Sequence, residues 1–222
     1  MIRLKNYEPF PCVQIKNVTK LFGEDLVLKE VNLSLNYGQV YGIVGNNGSG
    51  KTVLMKCICG FLPVTTGTIH VFGRQIGQET DFPESLGVII ETPGFLTQYT
   101  GMRNLEILAD MNRIITKADI RLILRKVGLN PDMKKPVGKY SLGMRQRLGI
   151  AQAIMEDPRF LILDEPFNGL DKHGVEEIRA LLLELKAMGK TILLASHNEE
   201  DIRILCDHVY EMNGGVLRER NI

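Results

Sequence analysis

Gly45-Asn46-Asn47-Gly48-Ser49-Gly50-Lys51-Thr52 constrains this chain more than any other stretch. It follows Val40–Val44, an apolar run that fits a buried strand, and precedes Val53–Ile58, which continues at helical spacing to Gly60. The pattern G-x-x-x-x-G-K-[ST] in that setting is a phosphate-binding loop. Its glycines let backbone N–H groups from Gly45 to Gly50 turn inward as an anion nest, and the new helix points its positive end at the phosphates. Lys51 is expected to reach the β- and γ-phosphates of a nucleotide, with the Thr52 hydroxyl on Mg²⁺. A glycine-rich turn without function would need neither the strand before it nor the Lys-Thr pair after it.

The surrounding chain alternates strand and helix. Val13–Ile15, Val27–Leu35, Val40–Val44, Thr68–Phe72 and Leu86–Ile90 read as strands. From 101 to 157 the pattern is helical only, broken by Pro131, Pro136 and Gly138. Phe160–Leu163, Val175–Met188 and Thr191–Ala195 restore strand, helix, strand. The chain then closes on a hairpin around Asn213-Gly214-Gly215. An α/β fold with a helical insert follows.

Composition narrows the class. At 222 residues the chain can bury one substantial core, and a net charge of +1 gives no global pull toward nucleic acid or an anionic membrane. Four cysteines, Cys12, Cys57, Cys59 and Cys206, are too scattered for a disulfide framework or zinc site and read as reduced thiols. No apolar run approaches the roughly eighteen residues of a spanning helix, and no signal peptide is evident. Work at a membrane would therefore need another chain, with this one on the cytoplasmic side.

Phe160-Leu161-Ile162-Leu163-Asp164-Glu165-Pro166 places two acids at the carboxyl end of a buried strand, where α/β sheets gather ligands. Asp164 is positioned to hold Mg²⁺ through its water shell. Glu165 can accept a proton from a water attacking the γ-phosphorus. His197 follows a second strand toward the same edge, near Glu165. Asn168-Gly169-Leu170-Asp171 alone reads as a turn with helix capping. Ser141-Leu142-Gly143-Met144-Arg145-Gln146 opens another helix and offers a second anion site. Since one nucleotide does not need two, it is either ordinary helix-start chemistry or the reader of a nucleotide held by another subunit.

These motifs, in this order, resemble the ATP-binding-cassette (ABC) ATPases from about Val13 to Leu217. The resemblance implies one nucleotide-binding domain over 1–222, a P-loop NTPase core. A mainly parallel sheet and an N-terminal antiparallel β-subdomain would occupy about 12–90 and 158–222, and the helical subdomain about 92–157. It also implies head-to-tail closure of two cassettes, a homodimer sufficing, with ATP and Mg²⁺ between them. Ser141, Gly143 and Gln146 of one would face the nucleotide on Lys51 of the other. Asp171 would reach across, His197 would sense the γ-phosphate, and Phe22 would stack under adenine unless it is a core aromatic.

At Glu91, where most cassettes carry Gln, this chain has an acid that would approach Mg²⁺ or the attacking water. A carboxylate there is tolerable only against the metal or a basic side chain. Glu91-Thr92-Pro93-Gly94-Phe95 resembles the ATPases of bacitracin-export and lantibiotic-immunity transporters and related multidrug exporters. Phe95, Leu96 and Tyr99, rimmed by Arg103, either pack the helical insert or receive a transmembrane permease. That permease would tether the chain to the inner face of the cell membrane without direct insertion. A soluble ABC ATPase of an assembly system, such as iron–sulfur cluster biogenesis, is the alternative, and a neighbouring permease gene would separate the two. An unrelated P-loop kinase or GTPase would have no use for Ser141–Gln146.

Overall fold

Two sheets share one helix at the centre of this fold. The structure, a computed structural model, describes residues 10–91 and 94–220, so Thr92 and Pro93 of the Glu91–Phe95 motif lie outside the described residues. The first sheet is antiparallel, in the order β2 (Asp25–Leu35), β1 (Val13–Phe22), β4 (Thr66–Val71), β5 (Arg74–Gln75). The second runs β10 (Val216–Arg220), β9 (His208–Asn213), β3 (Val40–Val44), β8 (Thr191–Ala195), β7 (Phe160–Asp164), β6 (Leu86–Ile89). All its pairings are parallel except β9 with β10.

Parallel strands covered on both faces should be mostly apolar, and β3, β7 and β8 are buried at every position, with Asp164 and Thr191 as polar end residues. Their pleat divides them between two cores. Phe160, Ile162, Leu193 and Ala195 pack with Leu54, Met55 and Ile58 of α1 (Lys51–Ile58) and with the antiparallel sheet. Leu161, Leu163, Ile192 and Leu194 face the other way, onto α4 (Leu142–Ile154) and α5 (Lys172–Ala187). The phosphate-loop helix is thus held between the two sheets.

The helical segment contains α2 (Gly101–Asn112), α3 (Lys117–Lys126) and α4. Side-chain caps start each one: Thr100 for α2, a Thr116–Asp119 capping box for α3, and Ser141 for α4. Three features differ from the sequence expectation. The first strand runs ten residues rather than ending at Ile15, its register shifting past Ile15 and again beyond Val18. Such bulges erase the period-two signal. The two-residue β5 and the seven-residue α6 (Glu199–Leu205) are too short to declare a period.

All four cysteines are buried and free. Burial pushes the thiols of Cys12, Cys59 and Cys206 up to about 12 and that of Cys57 to about 11. They are therefore protonated and unreactive near neutral pH.

Candidate active site

The carboxyl edge of the parallel sheet collects the predicted chemistry in one cleft of about 680 Å³. Asn47, Gly48, Ser49, Gly50, Lys51, Thr52, Glu91, Gln146, Asp164 and Glu165 line it, together with Val27 and Asn168, which sequence reasoning did not select. Topology accounts for the convergence. Strands β7 and β8 pair in parallel with Asp164 opposite Ala195, so Glu165 and Ser196-His197 leave the sheet at one level. Strand β3 lies on the other side of β8 and delivers the loop there.

The loop requires glycine where it bends. Gly45 has φ 147°, and a Cβ there would lie 2.2 Å from the Met212 carbonyl oxygen. Among the described residues α1 is also exceptional in its start. The other five α-helices have a side chain bonded to a first-turn N–H, whereas α1 begins at Gly50 with none. Its orphan N–H groups are left for an anion. The buried Ser49 hydroxyl also has no partner within the protein. Both observations fit a phosphate chain. Asn46 contributes its carbonyl, since Lys51 Nζ donates to Gly45 O at 2.6 Å and to Asn46 O at 3.1 Å.

Thr52 Oγ1 donates to Asp164 Oδ2 at 2.7 Å, so the hydroxyl and the carboxylate converge on one point. No three His, Cys, Asp or Glu side chains gather into a cage among the described residues. Magnesium suits that donor set, because it keeps waters and phosphate oxygens and takes only one or two carboxylates from protein. His197 Nδ1 lies 2.8 Å from Glu165 Oε2. Glu165 has φ 51° and Glu91 φ 59°, a left-handed backbone that surrounding structure must enforce on such residues. Glu91 has a basic partner, which the sequence had required without naming: Lys56 Nζ, 2.6 Å from its Oε1. Lys56 follows Thr52 by one helical turn, and that spacing was the signal available for finding it.

The loop after β8 has its own support. Asp201 is 1% exposed and accepts from Arg179 Nε at 2.7 Å and from Ser196 Oγ at 3.3 Å. Breaking such a buried pair leaves Arg179 with the more exposed Glu200 carboxylate, 3.0 Å from its Nη2. Asp201→Ala is expected to cost about 3 kcal/mol in urea unfolding, although Asp201 lies outside the cleft.

Phe22, Ser141, Gly143 and Asp171 lie outside the cleft wall, whereas Gln146 belongs to it. Phe22, 44% exposed, is not part of the cleft wall. It ends β1 beside the hairpin that carries Val27, with Lys20 Nζ 4.8 Å from its ring centroid. Ser141 is exposed and its Oγ accepts from Met144 N at 3.2 Å. That cap uses a lone pair and leaves the O–H free to donate. Gly143 packs so closely on Gly169 that a Cβ would sit 2.6 Å from the Gly169 oxygen. Asp171 caps α5 by accepting from Gly174 N at 2.8 Å and is exposed. Gln146 is buried, and its amide donates to the Glu165 carbonyl of the same chain at 3.3 Å.

The family model for ABC transporters matches residues 28–168, from within β2 through the acid pair to Asn168. The chain belongs to the ABC transporter family. It is an ATP-binding, ATP-hydrolysing cassette. It is 42% identical over 205 residues to the ABC transporter ATP-binding protein YybJ of Bacillus subtilis, covering 92% of this chain and 94% of that one. The bacitracin transport ATP-binding protein BcrA of Enterococcus faecalis is 42% identical over 93% of this cassette and 68% of its own length. The lantibiotic transport ATP-binding protein SrtF of Streptococcus pyogenes is 35% identical over 94% and 90%.

Among solved structures, the ATP-binding subunit of an ABC transporter superposes with a TM-score of 0.85 at 26% identity, over 95% of this cassette and 90% of that chain. The cassette MJ0796, in a dimeric post-hydrolysis state with ADP and phosphate, shares the fold at a TM-score of 0.84 and 24% identity. That match covers 94% of this cassette and 98% of that chain. No described helix is long and apolar enough to cross a membrane.

Proposed function

We propose that this cassette energises an exporter of antimicrobial-peptide, antibiotic or drug type by closing head to tail on a second copy around two ATP molecules. The observation that carries the composite site is the Ser141 cap, exposed and with a free hydroxyl donor. Its helix brings Leu142, Arg145 and Gln146 to the wall of the chain's own cleft, but Ser141 itself is not part of that wall. Similarity to BcrA and SrtF supports the export class. The two matches cover 93% and 94% of this cassette.

Gly45 to Gly50 and Lys51 hold the triphosphate, with Ser49 and the uncapped start of α1 supplying donors. Thr52, Asp164 and Glu91 would hold Mg²⁺, which when bound would offset phosphate charge. Glu165 takes the proton of the attacking water. His197 fixes the Glu165 carboxylate through the 2.8 Å contact. Gln146 secures the Glu165 backbone from α4. Ser141 and Gly143 address the partner's γ-phosphate, Asp171 meets the partner across the interface, and Phe22 stacks on adenine. We take 12–90 and 158–222 as the core and β-subdomain, and 92–157 as the helical subdomain.

A permease docks at the root of that helical segment and places the cassette on the inner face of the cell membrane. Phe95 packs against the core of the helical segment, whereas Leu96 and Tyr99 are 44% and 42% exposed. The docking surface is therefore assigned to Leu96 and Tyr99. Leu96→Ala with Tyr99→Ala should reduce copurification of the permease about tenfold, as loss of a modest hot spot would, while ATP binding by the isolated cassette persists. Full recovery of the permease with intact transport would remove the docking assignment.

A further inference from the structure

We propose that Lys56 is a positioning residue for Glu91, holding this carboxylate at the nucleotide cleft with its charge offset. The inference rests on the reading of the cleft as the ATP site. Three carboxylates, Glu91, Asp164 and Glu165, line that cleft, and a triphosphate adds further negative charge. Asp164 is engaged with Thr52, and Glu165 with His197. Lys51 donates to loop carbonyls and lies 7% exposed within the loop. Lys56 is the cation that meets Glu91, at 2.6 Å.

Two further observations give the pair a direction. Glu91 leaves β6 with a left-handed φ of 59°, so its backbone does not relax freely to carry the carboxylate elsewhere. Lys56 sits in the last turn of α1, the helix that starts at the phosphate loop, so its stem is anchored to the element that grips the nucleotide. The Glu91 and Lys56 side chains are 63% and 27% exposed, and an exposed ion pair adds little to stability. The effect of the pair should therefore fall on nucleotide affinity. A neutral amide at position 91 would need no such cation, whereas the acid does.

The test is a double-mutant cycle with Lys56→Met, Glu91→Gln and the double variant, reading the Kd for Mg-ATP by isothermal titration, with melting curves to show that each folds. Lys56→Met should weaken Mg-ATP binding about fivefold when Glu91 is present, the scale of one unscreened charge at a solvated cleft. The same change in the Glu91→Gln background should leave affinity unaltered. A double variant weaker than Glu91→Gln by the full Lys56→Met factor would overturn the proposal, because Lys56 would then act on the nucleotide itself. So would unchanged affinity in Lys56→Met. Lys51→Met serves as the separate control. Undiminished binding there sinks the ATP-site reading, whereas lost binding there with an inert Lys56→Met sinks only this inference.

Discussion

Glu165→Gln should lower steady-state ATP turnover about 10³-fold, the middle of the range for removing a positioned general base, while Mg-ATP still binds. The substitution keeps size and hydrogen-bonding capacity but removes the basic oxygen. Glu165 stands where β7 ends, 23% exposed at its side chain, with His197 Nδ1 at 2.8 Å. Rapid quench against equilibrium binding separates the two steps: turnover falls and affinity holds. A variant that turns over ATP within a few-fold of the parent would take the base role from Glu165. The left-handed backbone at Glu165 accords with the assignment, since strain of that kind persists where surrounding contacts fix it.

Lys51→Met should act one step earlier. Its ammonium is nearly buried and is now shared between the carbonyls of Gly45 and Asn46. Exchanging those acceptors for phosphate oxygens makes charge-assisted hydrogen bonds, and losing them costs about 3 kcal/mol, a factor of about 100 in Kd. Titration calorimetry reads this directly. The variant should still fold, because Met spans the same stem, although the loop carbonyls lose a donor. If Lys51→Met binds Mg-ATP as tightly as the parent, the loop does not hold the triphosphate.

Much of this was legible in the sequence, for physical reasons that differ by element. Strands β3, β7 and β8 are buried on both faces, so their apolar runs were continuous and unmistakable. Loop, acid pair and histidine each sit at a strand end or helix start, where local chemistry alone suggests a ligand. The full length of β1 was hidden by bulges, and α6 by its shortness. Lys56 escaped notice because a lysine on a helix is ordinary until its partner is known, and Glu91 arrives from 35 residues away. Gln146 shows the reverse case: the resemblance groups it with Ser141 and Gly143 toward a partner's nucleotide, whereas one turn beyond Ser141 its amide is buried and donates to the Glu165 carbonyl of its own chain. The signature of a cap also concealed a choice. Ser141 does cap its helix, and the free O–H that remains lets the same residue serve a second subunit.

The central claim is that each ATP is hydrolysed between Lys51 of one chain and Ser141 of the other, and mixing two defective chains tests it. Lys51→Met and Ser141→Glu should each be inactive as a homodimer. In a mixed dimer one site carries both lesions, and the other regains an intact Lys51 and an intact Ser141. ATPase activity should therefore appear on mixing, in proportion to the mixed dimer measured by native mass spectrometry. Mixed dimers that form but stay as inactive as their parents would contradict a composite site and return catalysis to the single chain.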